Sequence, residues 1–132
     1  MKIVLDTNVL VSGLINPTGA PGRIVDRVRA GLLSLVVDDR ILAEYRDVLR
    51  RDYLQRYFIA EDRESILDFI EHEAHRTVAD TVVADLPDAG DIPFLEAALA
   101  ADAPLVTGNK RHFPRDRRRG CRVVEPAEFL SA

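Results

Sequence analysis

Acidic and amide side chains lie where an α/β fold usually carries its chemistry, just beyond the carboxyl ends of strands. Four residues follow apolar runs or lie in the intervening loops: Asp6, Asp88, Asp91 and Asn109. A fifth, Glu44, lies about two turns into a predicted helix. Carboxylates that converge on one cleft repel one another, and protonation or a cation must relieve that repulsion. Because Mg²⁺ and Mn²⁺ prefer oxygen ligands, these residues indicate a divalent-cation site.

A divalent cation held by carboxylates can orient a water towards phosphorus, lower the pKa of that water and stabilise a charged leaving oxygen. Nucleic-acid phosphodiesters are the substrates for which this chemistry is most useful. The spacing leaves simpler explanations open, because acids are common in loops and at the ends of helices. Asp6 and Asp91 could be helix N-caps, and Asn109 could shape a turn. Asp88 could be an ordinary loop acid, and Glu44 could form a minor ion pair with a nearby arginine.

Alternating strand and helix patterns must position these side chains. Apolar runs typical of buried strands span residues 2–5, 33–37, 104–107 and 122–124, and a weaker strand pattern spans 78–83. Helical patterns span residues 9–15, 23–32, 41–49, 60–75, 92–101 and 126–130. The Pro/Gly cluster at 16–22 is expected to stop the first helix, and Asp38 or Asp39 to cap the third.

This alternation predicts an α/β fold, a three-layer α/β/α sandwich with a mainly parallel central sheet. The chain has 132 residues, 47% of them hydrophobic and 30% charged, which is ordinary for a globular protein with its own core. No internal repeat, low-complexity segment or linker interrupts the pattern. We therefore expect residues 1–132 to form a single domain.

The charge is unevenly distributed along the chain. The formal net charge is −4, yet seven Lys or Arg residues and only one acid, Asp116, lie between Lys110 and Arg122. A local basic surface of this kind could steer a phosphate backbone. It could equally be a solvated loop or a docking surface for an acidic partner, and charge alone does not decide between these.

Compartment and membrane association can be judged from the cysteine and apolar content. Cys121 is the single cysteine, so no internal disulfide can form and a reducing compartment is expected. Its arginine neighbours could lower its pKa, although a partly buried structural thiol is the simpler interpretation. No apolar run is long enough for a signal peptide or a membrane span, so we expect a cytoplasmic protein.

Four segments carry recognisable motifs: IVLDTNVLVSG at 3–13, ILAEYRDVL at 41–49, DAGDIPFLEAAL at 88–99 and LVTGNKRHF at 105–113. They resemble the motifs of PIN-domain nucleases. Within that superfamily they are similar to the bacterial and archaeal VapC-like group, often labelled toxin components of toxin–antitoxin pairs. They occur in the order typical of the family and together cover nearly the whole chain.

The resemblance implies a Rossmann-like sandwich whose acidic pocket binds one or two Mg²⁺ or Mn²⁺ ions. Carried over by position, Asp6, Glu44 and Asp91 match the three acids that hold the metal. Asp88 matches an additional acid three residues before Asp91, with a supporting role. Asn109 departs from the pattern, since many relatives carry Asp after the Thr-Gly pair. Its amide can offer an oxygen but no negative charge, which weakens the case for a second metal more than for the first.

The resemblance also implies an endoribonuclease that hydrolyses RNA phosphodiester bonds and acts as a toxin restrained by an antitoxin protein. A homodimer is expected from the family and from the apolar helices, and no membrane partner is expected. Two other hypotheses stay open. The first is a catalytically silent PIN-fold module that binds RNA or protein, which the Asn109 departure favours. The second is a phosphoacceptor or phosphatase domain, which the Thr-Asn pair after Asp6 disfavours.

Overall fold

The computed structural model describes residues 1–131 of the chain. One five-stranded sheet forms its centre, with the strand order β3-β2-β1-β4-β5. Every pairing in this sheet is parallel. The strands are β1 (Lys2–Leu5), β2 (Ser34–Val37), β3 (His75–Arg76), β4 (Leu105–Val106) and β5 (Val123–Val124).

Helices connect the strands and cover the sheet. They are α1 (Thr7–Ile15), α2 (Ala20–Arg29), α3 (Asp39–Leu49), α4 (Ala60–Glu73), α5 (Ile92–Ala101) and α6 (Pro126–Ser131). Short 3-10 turns occur at Asp52–Leu54, Ala89–Asp91, Lys110–His112 and Arg115–Arg117. The predicted α/β/α sandwich with a parallel central sheet is confirmed. Within residues 1–131, no helix combines the length and apolar character that crossing a membrane requires.

The strand order creates a cleft beside the first strand. The chain passes from β1 to β2 on one side, whereas β4 and β5 lie on the other side of β1. In such sheets the connections leave in opposite directions at this point, and a crevice opens beyond the carboxyl ends of the two central strands. Leu5 pairs with Val106 at these ends. The residues that follow each strand, Asp6 and Thr107, are therefore brought together from opposite ends of the sequence.

The core ties the helices that carry acids to this edge of the sheet. Tyr45 on α3 and Phe94 on α5 are fully buried, and their ring centroids lie 6.3 Å apart. Full burial of each large apolar side chain stabilises the fold by about 1.5–3 kcal/mol. The Tyr45 hydroxyl donates a hydrogen bond of 2.5 Å to the carbonyl oxygen of Leu5, the residue before Asp6. Packing and hydrogen bonding thus fix α3 against the end of β1.

The weak strand predicted at 78–83 is wrong. The edge strand is β3, which pairs with β2 through Val36–His75 and Val37–Arg76, and the predicted helix 60–75 therefore ends earlier, at Glu73. Val78 and Val82 are 86% and 80% exposed and Val83 is buried, and none of the three lies in a strand. A strand needs a neighbouring strand for its backbone hydrogen bonds. Because β2 already pairs with His75 and Arg76, residues 78–83 have no strand to pair with.

Two helix starts also differ from the prediction. The first helix begins at Thr7, directly after Asp6, rather than at residue 9. The second begins at Ala20, inside the Pro/Gly cluster, with Pro21 in its first turn. Proline is favoured there because the first amide groups of a helix have no partner within the helix. Gly22 fits for another reason, since a Cβ atom at this position would lie 2.2 Å from the carbonyl oxygen of Pro17.

Candidate metal centre

Asp6 lies at the end of β1 and is only 5% exposed. Although it occupies the N-cap position of α1, its side chain makes no capping hydrogen bond. Its Oδ2 atom instead accepts a hydrogen bond of 2.7 Å from the hydroxyl of Thr107, which is fully buried after β4. Burial raises the pKa of the Asp6 carboxyl above its ordinary value, although the Thr107 hydrogen bond opposes this effect. The carboxylate is therefore held towards the cleft at an energetic cost.

Asp91 is the second buried acid of the cleft. It precedes α5, is 8% exposed and makes no capping hydrogen bond. Its Oδ2 atom is buried and lies 2.9 Å from Nδ1 of His112, and no other polar group among the described residues makes a hydrogen bond with it. Burial, followed by the negative charge of Asp6, raises the pKa of Asp91 to about 6, and His112 opposes the shift. A buried carboxylate oxygen in this state needs a cation or a proton.

Asp88 lies on the rim of the cleft and is exposed. One of its oxygens accepts a hydrogen bond of 2.9 Å from the Gly90 amide, so it does cap the turn Ala89–Asp91 as a loop acid would. It also belongs to a cluster with Asp91 and His112 in which one potential ligand atom per residue lies within 4.8 Å of the others. The two roles are compatible, because a carboxylate has two oxygens.

Glu44 approaches the cleft from α3 and is half-buried. Its Oε2 atom accepts a hydrogen bond from the hydroxyl of Thr7, the residue directly after Asp6. It forms no ion pair with Arg40 or Arg46, which contact other carboxylates. The alternative interpretation, that Glu44 forms a minor ion pair with a nearby arginine, is therefore wrong. Glu44 does not belong to the close cluster of Asp88, Asp91 and His112.

His112 also reaches the site, although it is not among the site residues predicted from the sequence. It ends the turn Lys110–His112, and its Nε2 atom lies 2.9 Å from Nδ2 of Asn109. The backbone N–H of Asn109 donates a hydrogen bond of 3.1 Å to Oγ1 of Thr107. The position of His112 three residues after Asn109 was the available signal. Its carboxylate neighbours are remote in sequence, so no standard ligand spacing marks it.

The cleft as a whole has the properties of a cation site. Burial raises the pKa of two nearly buried carboxylates, Asp6 and Asp91, and the negative charge of Asp6 adds to the rise at Asp91. A third carboxylate and an imidazole lie at the rim. The cost of burying two carboxylates close together is relieved when a divalent cation binds. The residues present therefore fit a divalent metal ion.

The basic run beyond Asn109 is only partly available to a ligand. Lys110 forms an ion pair of 3.0 Å with Glu128, and Arg119 forms one of 3.2 Å with Asp85. The side chains of Arg117 and Arg118 donate to backbone carbonyl oxygens. Among residues 1–131, three members of the run have no ion pair or side-chain hydrogen bond: Arg111, Arg115 and Arg122.

Cys121 lies outside the cleft. It is partly buried, and burial raises the pKa of its thiol to about 11 even though Arg118 opposes the shift. The neighbouring arginines therefore do not activate this cysteine. The simpler interpretation as a structural thiol agrees with its surroundings.

The fold and the cleft define a parallel α/β domain with an acidic site where the strand order reverses. A sequence model of the PIN domain matches residues 2–111, and the chain belongs to the PIN-domain family. The uncharacterized protein MJ1680 of Methanocaldococcus jannaschii is 31% identical over 113 residues, which cover 83% of this chain and 72% of that protein. The family predicted from the sequence motifs is thus confirmed.

Two solved structures share the fold. One is VapBC-1 from nontypeable Haemophilus influenzae, with a TM-score of 0.63 and 16% identity over 96% of this chain and 99% of that chain. The other is VapBC2 from Rickettsia felis bound to a DNA fragment from its promoter, with a TM-score of 0.60 and 16% identity over 95% and 98%. At this identity the likeness concerns the fold.

Proposed function

We propose that the protein is a divalent-metal-dependent endoribonuclease that hydrolyses RNA phosphodiester bonds. The observation that carries the proposal is the meeting of two nearly buried carboxylates, Asp6 and Asp91, in the cleft of a PIN-domain fold, where burial raises the pKa of both. In this proposal Asp6, Asp91 and Glu44 hold Mg²⁺ or Mn²⁺, and Asp88 and Asn109 support the site. A cation there supplies Lewis-acid activation of water and stabilisation of the leaving oxygen.

The residues of the chain contribute position and charge. The Thr107 hydroxyl fixes the orientation of the Asp6 carboxylate, and the Thr7 hydroxyl does the same for Glu44. The unpaired Arg111 lies in the turn next to His112 and is available to hold a substrate phosphate near the acids. Burial of the two central carboxylates lowers the local dielectric constant and strengthens their attraction for a cation.

A biological role as the toxin of a toxin–antitoxin pair follows from the same proposal. Its support is the structural likeness to chains of the VapBC complexes. In this role an antitoxin polypeptide covers the acidic cleft and places a basic side chain among the carboxylates, and the protein forms a homodimer. Growth arrest on expression of the wild type, with normal growth on expression of Asp6→Asn at equal protein level, tests the toxin role. Light scattering of the purified protein tests the dimer.

The silent binding module is the second candidate, and Asn109 is the observation that favours it. An amide stands where many relatives have a carboxylate, which removes one negative charge from the cleft. Against it stand the three carboxylates Asp6, Asp91 and Asp88, because burial and then the charges of neighbouring acids raise the pKa of the first two. A silent module has no need to keep buried acids at this cost.

Incubation of a mixed single-stranded RNA with the protein separates the two candidates. The nuclease proposal predicts fragments in Mg²⁺ or Mn²⁺ and none in EDTA, with cleavage restored when the cation is added back. A parallel binding assay in EDTA measures RNA affinity independently of cleavage. Retained RNA binding without cleavage in either cation would identify the silent module.

A further inference from the structure

We propose that the turn after α3 is a stacking site for the bases of single-stranded RNA, formed by Tyr53, Tyr57 and Arg56. The inference rests on the proposed function, because its ligand is the substrate proposed for the cleft. The site itself is separate from the acids of the cleft. Proteins bind single strands by stacking unpaired bases on aromatic rings or guanidinium planes and by holding the phosphates with basic side chains.

The exposed tyrosine and phenylalanine side chains of residues 1–131 all lie in this turn. Tyr53 is 62% exposed and Tyr57 is 46% exposed. The third tyrosine, Tyr45, is fully buried, every phenylalanine is buried or half-buried, and the chain has no tryptophan. A base needs an accessible aromatic face for stacking, and in the part of the chain that the structure describes this turn offers two.

The backbone that carries the two rings is held firmly. Leu54 and Phe58, each one residue beyond a tyrosine, are 4% and 7% exposed and anchor the turn in the core. The Gln55 side chain donates hydrogen bonds of 2.9 Å to the carbonyl oxygens of Leu49 and Arg51. A side chain that is already held in place loses less conformational freedom when it binds a ligand. The turn therefore presents its rings in a position that is ready for stacking.

The same turn carries positive charge, although the net charge of the chain is −4. Residues 50–57, with the sequence RRDYLQRY, contain three arginines and one acid. The guanidinium carbon of Arg56 lies 5.2 Å from the centroid of the Tyr57 ring. Arg56 makes no ion pair and no side-chain hydrogen bond within residues 1–131, unlike Arg50 and Arg51. Its charge is therefore available to a phosphate, and its guanidinium plane is available to a base.

Helix α3 connects this turn with the cleft. Glu44 contacts Thr7 in the cleft, and Arg50, which follows the last residue of α3, lies six residues or roughly 9 Å further along the helix axis. An open depression at that end is lined by three arginines, two aspartates and Tyr53. The 3.0 Å ion pair between Arg51 and its aspartate partner is exposed, and such pairs contribute little, so a phosphate can replace the carboxylate. An RNA strand engaged at the cleft reaches this turn within a few nucleotides.

The composition of the turn favours RNA over a protein partner. Tyrosine and arginine are also common in protein interfaces, but the core of such an interface needs a cluster of apolar side chains. Among the aliphatic and phenylalanine residues of segment 50–59, only Ile59 is exposed, at 62%. An unpaired guanidinium beside an exposed ring instead provides the two contacts that a nucleotide needs, one for its phosphate and one for its base.

Tyrosine fluorescence tests the stacking directly. Because the chain has no tryptophan, its emission comes from the buried Tyr45 and from the two exposed tyrosines. We expect a mixed single-stranded RNA of about ten nucleotides, added in EDTA, to quench the emission of Tyr53 and Tyr57. The double variant Tyr53→Phe, Tyr57→Phe keeps both rings, so it should retain the RNA affinity. Its remaining emission, from Tyr45, should not be quenched.

Fluorescence anisotropy of the same RNA, carrying a fluorescein label, measures the affinity. We expect Tyr53→Ala and Tyr57→Ala each to raise the Kd about fivefold or more without changing the melting temperature. Arg56→Gln should make the slope of log K against log salt shallower by about 0.7. The matched control is Arg23→Gln, which removes an exposed arginine of α2 that likewise has no ion pair in the described residues. It should leave the affinity and the slope unchanged.

The possible failures are distinguishable. If the wild type cleaves RNA but its tyrosine emission is not quenched, or if the alanine variants bind RNA as tightly as the wild type, the inference is wrong while the proposed function stands. If the wild type neither binds RNA nor cleaves it in Mg²⁺ or Mn²⁺, both are overturned. If the alanine variants keep their RNA affinity but lose self-association in light scattering, the turn is a protein interface instead.

Discussion

The hydroxyl of Thr107 donates a hydrogen bond of 2.7 Å to Oδ2 of Asp6, and both side chains are buried where β4 and β1 end side by side. The same hydroxyl accepts a hydrogen bond from the backbone amide group of Asn109. One side chain thus links the first acid of the cleft to the turn that carries His112. The sequence separates these residues by most of its length, and the parallel pairing of β1 with β4 brings them together.

Replacing Thr107 by Val keeps the shape of the side chain and removes both hydrogen bonds. Because partners that orient metal ligands typically contribute 10- to 100-fold, we expect a loss of roughly that size in metal affinity and cleavage rate. We also expect the free energy of unfolding to fall by about 1–3 kcal/mol. Thr107→Ser retains the hydroxyl and should stay within a few-fold of the wild type. Equal metal affinity in Thr107→Val and wild type would show that the hydroxyl does not orient Asp6.

The stability of the metal-free protein should depend on pH through Asp91. Its pKa of about 6 lies above the ordinary value of 3.8, so the folded state binds this proton more tightly than the unfolded state. The stabilisation from protonation is complete below pH 3.8 and is lost as the pH rises through about 6. In EDTA, Asp91→Asn should therefore melt at a higher temperature than the wild type above pH 6, and the difference should shrink as the pH falls.

Asp116→Asn is the matched control for that experiment, because Asp116 is an exposed acid in the basic run. It should leave the melting temperature and its pH dependence unchanged. If Asp91→Asn were less stable than the wild type at pH 7–8, the buried Asp91 carboxylate would not destabilise the metal-free protein. That result would contradict the argument for the metal site.

Addition of Mn²⁺ or Mg²⁺ should stabilise the wild type by mass action, since a ligand that binds only the folded state raises its stability in proportion to the logarithm of its concentration. The rise in melting temperature should be steeper at pH 7.5 than at pH 5, where protons compete for Asp91. Asp6→Asn and Asp91→Asn should lose most of this response. Thermal denaturation across a metal titration measures it, and identical curves for wild type and variants would place the cation elsewhere.

Glu96 anchors the segment that leads to Asp88. It is 6% exposed, and its carboxylate accepts hydrogen bonds of 2.8 Å from the Val83 amide group and 2.7 Å from Arg40. Glu96→Ala leaves the buried Val83 amide unpaired, so we expect a loss of about 1–3 kcal/mol in urea unfolding. Glu96→Gln retains an acceptor and should lose less. Hydrogen exchange of the Val83 amide should accelerate in Glu96→Ala, and unchanged exchange would show that this contact does not hold the segment.

The sequence predicted the architecture because its signals are local. Buried strands such as 2–5 and helical spacing such as that of α3 are properties of neighbouring residues, and their alternation implies a parallel sheet. Asp6 and Asp91 were identified as site candidates because they follow or precede such elements. The sequence could not predict that neither side chain makes a capping hydrogen bond, because capping acids and site acids occupy the same positions in a sequence.

What the sequence did not predict depends on contacts between distant residues. The valines of segment 78–83 match a strand pattern, but pairing with β2 is used by His75 and Arg76 instead. His112 lies close to Asp91 because the turn after β4 meets the turn before α5, and no spacing rule covers that arrangement. The start of α2 at Ala20 was missed because Pro and Gly signal both turns and helix starts.

The central claim is that a divalent cation held by Asp6 and Asp91 is required for RNA cleavage. The most direct measurement is the cleavage rate of a labelled single-stranded RNA in Mg²⁺ and Mn²⁺, for wild type, Asp6→Asn, Asp91→Asn and the exposed control Asp116→Asn. We predict cation-dependent cleavage by the wild type and the control, and a loss of at least about 100-fold in both site variants. Cleavage that persists in EDTA, or in both site variants, would contradict the account.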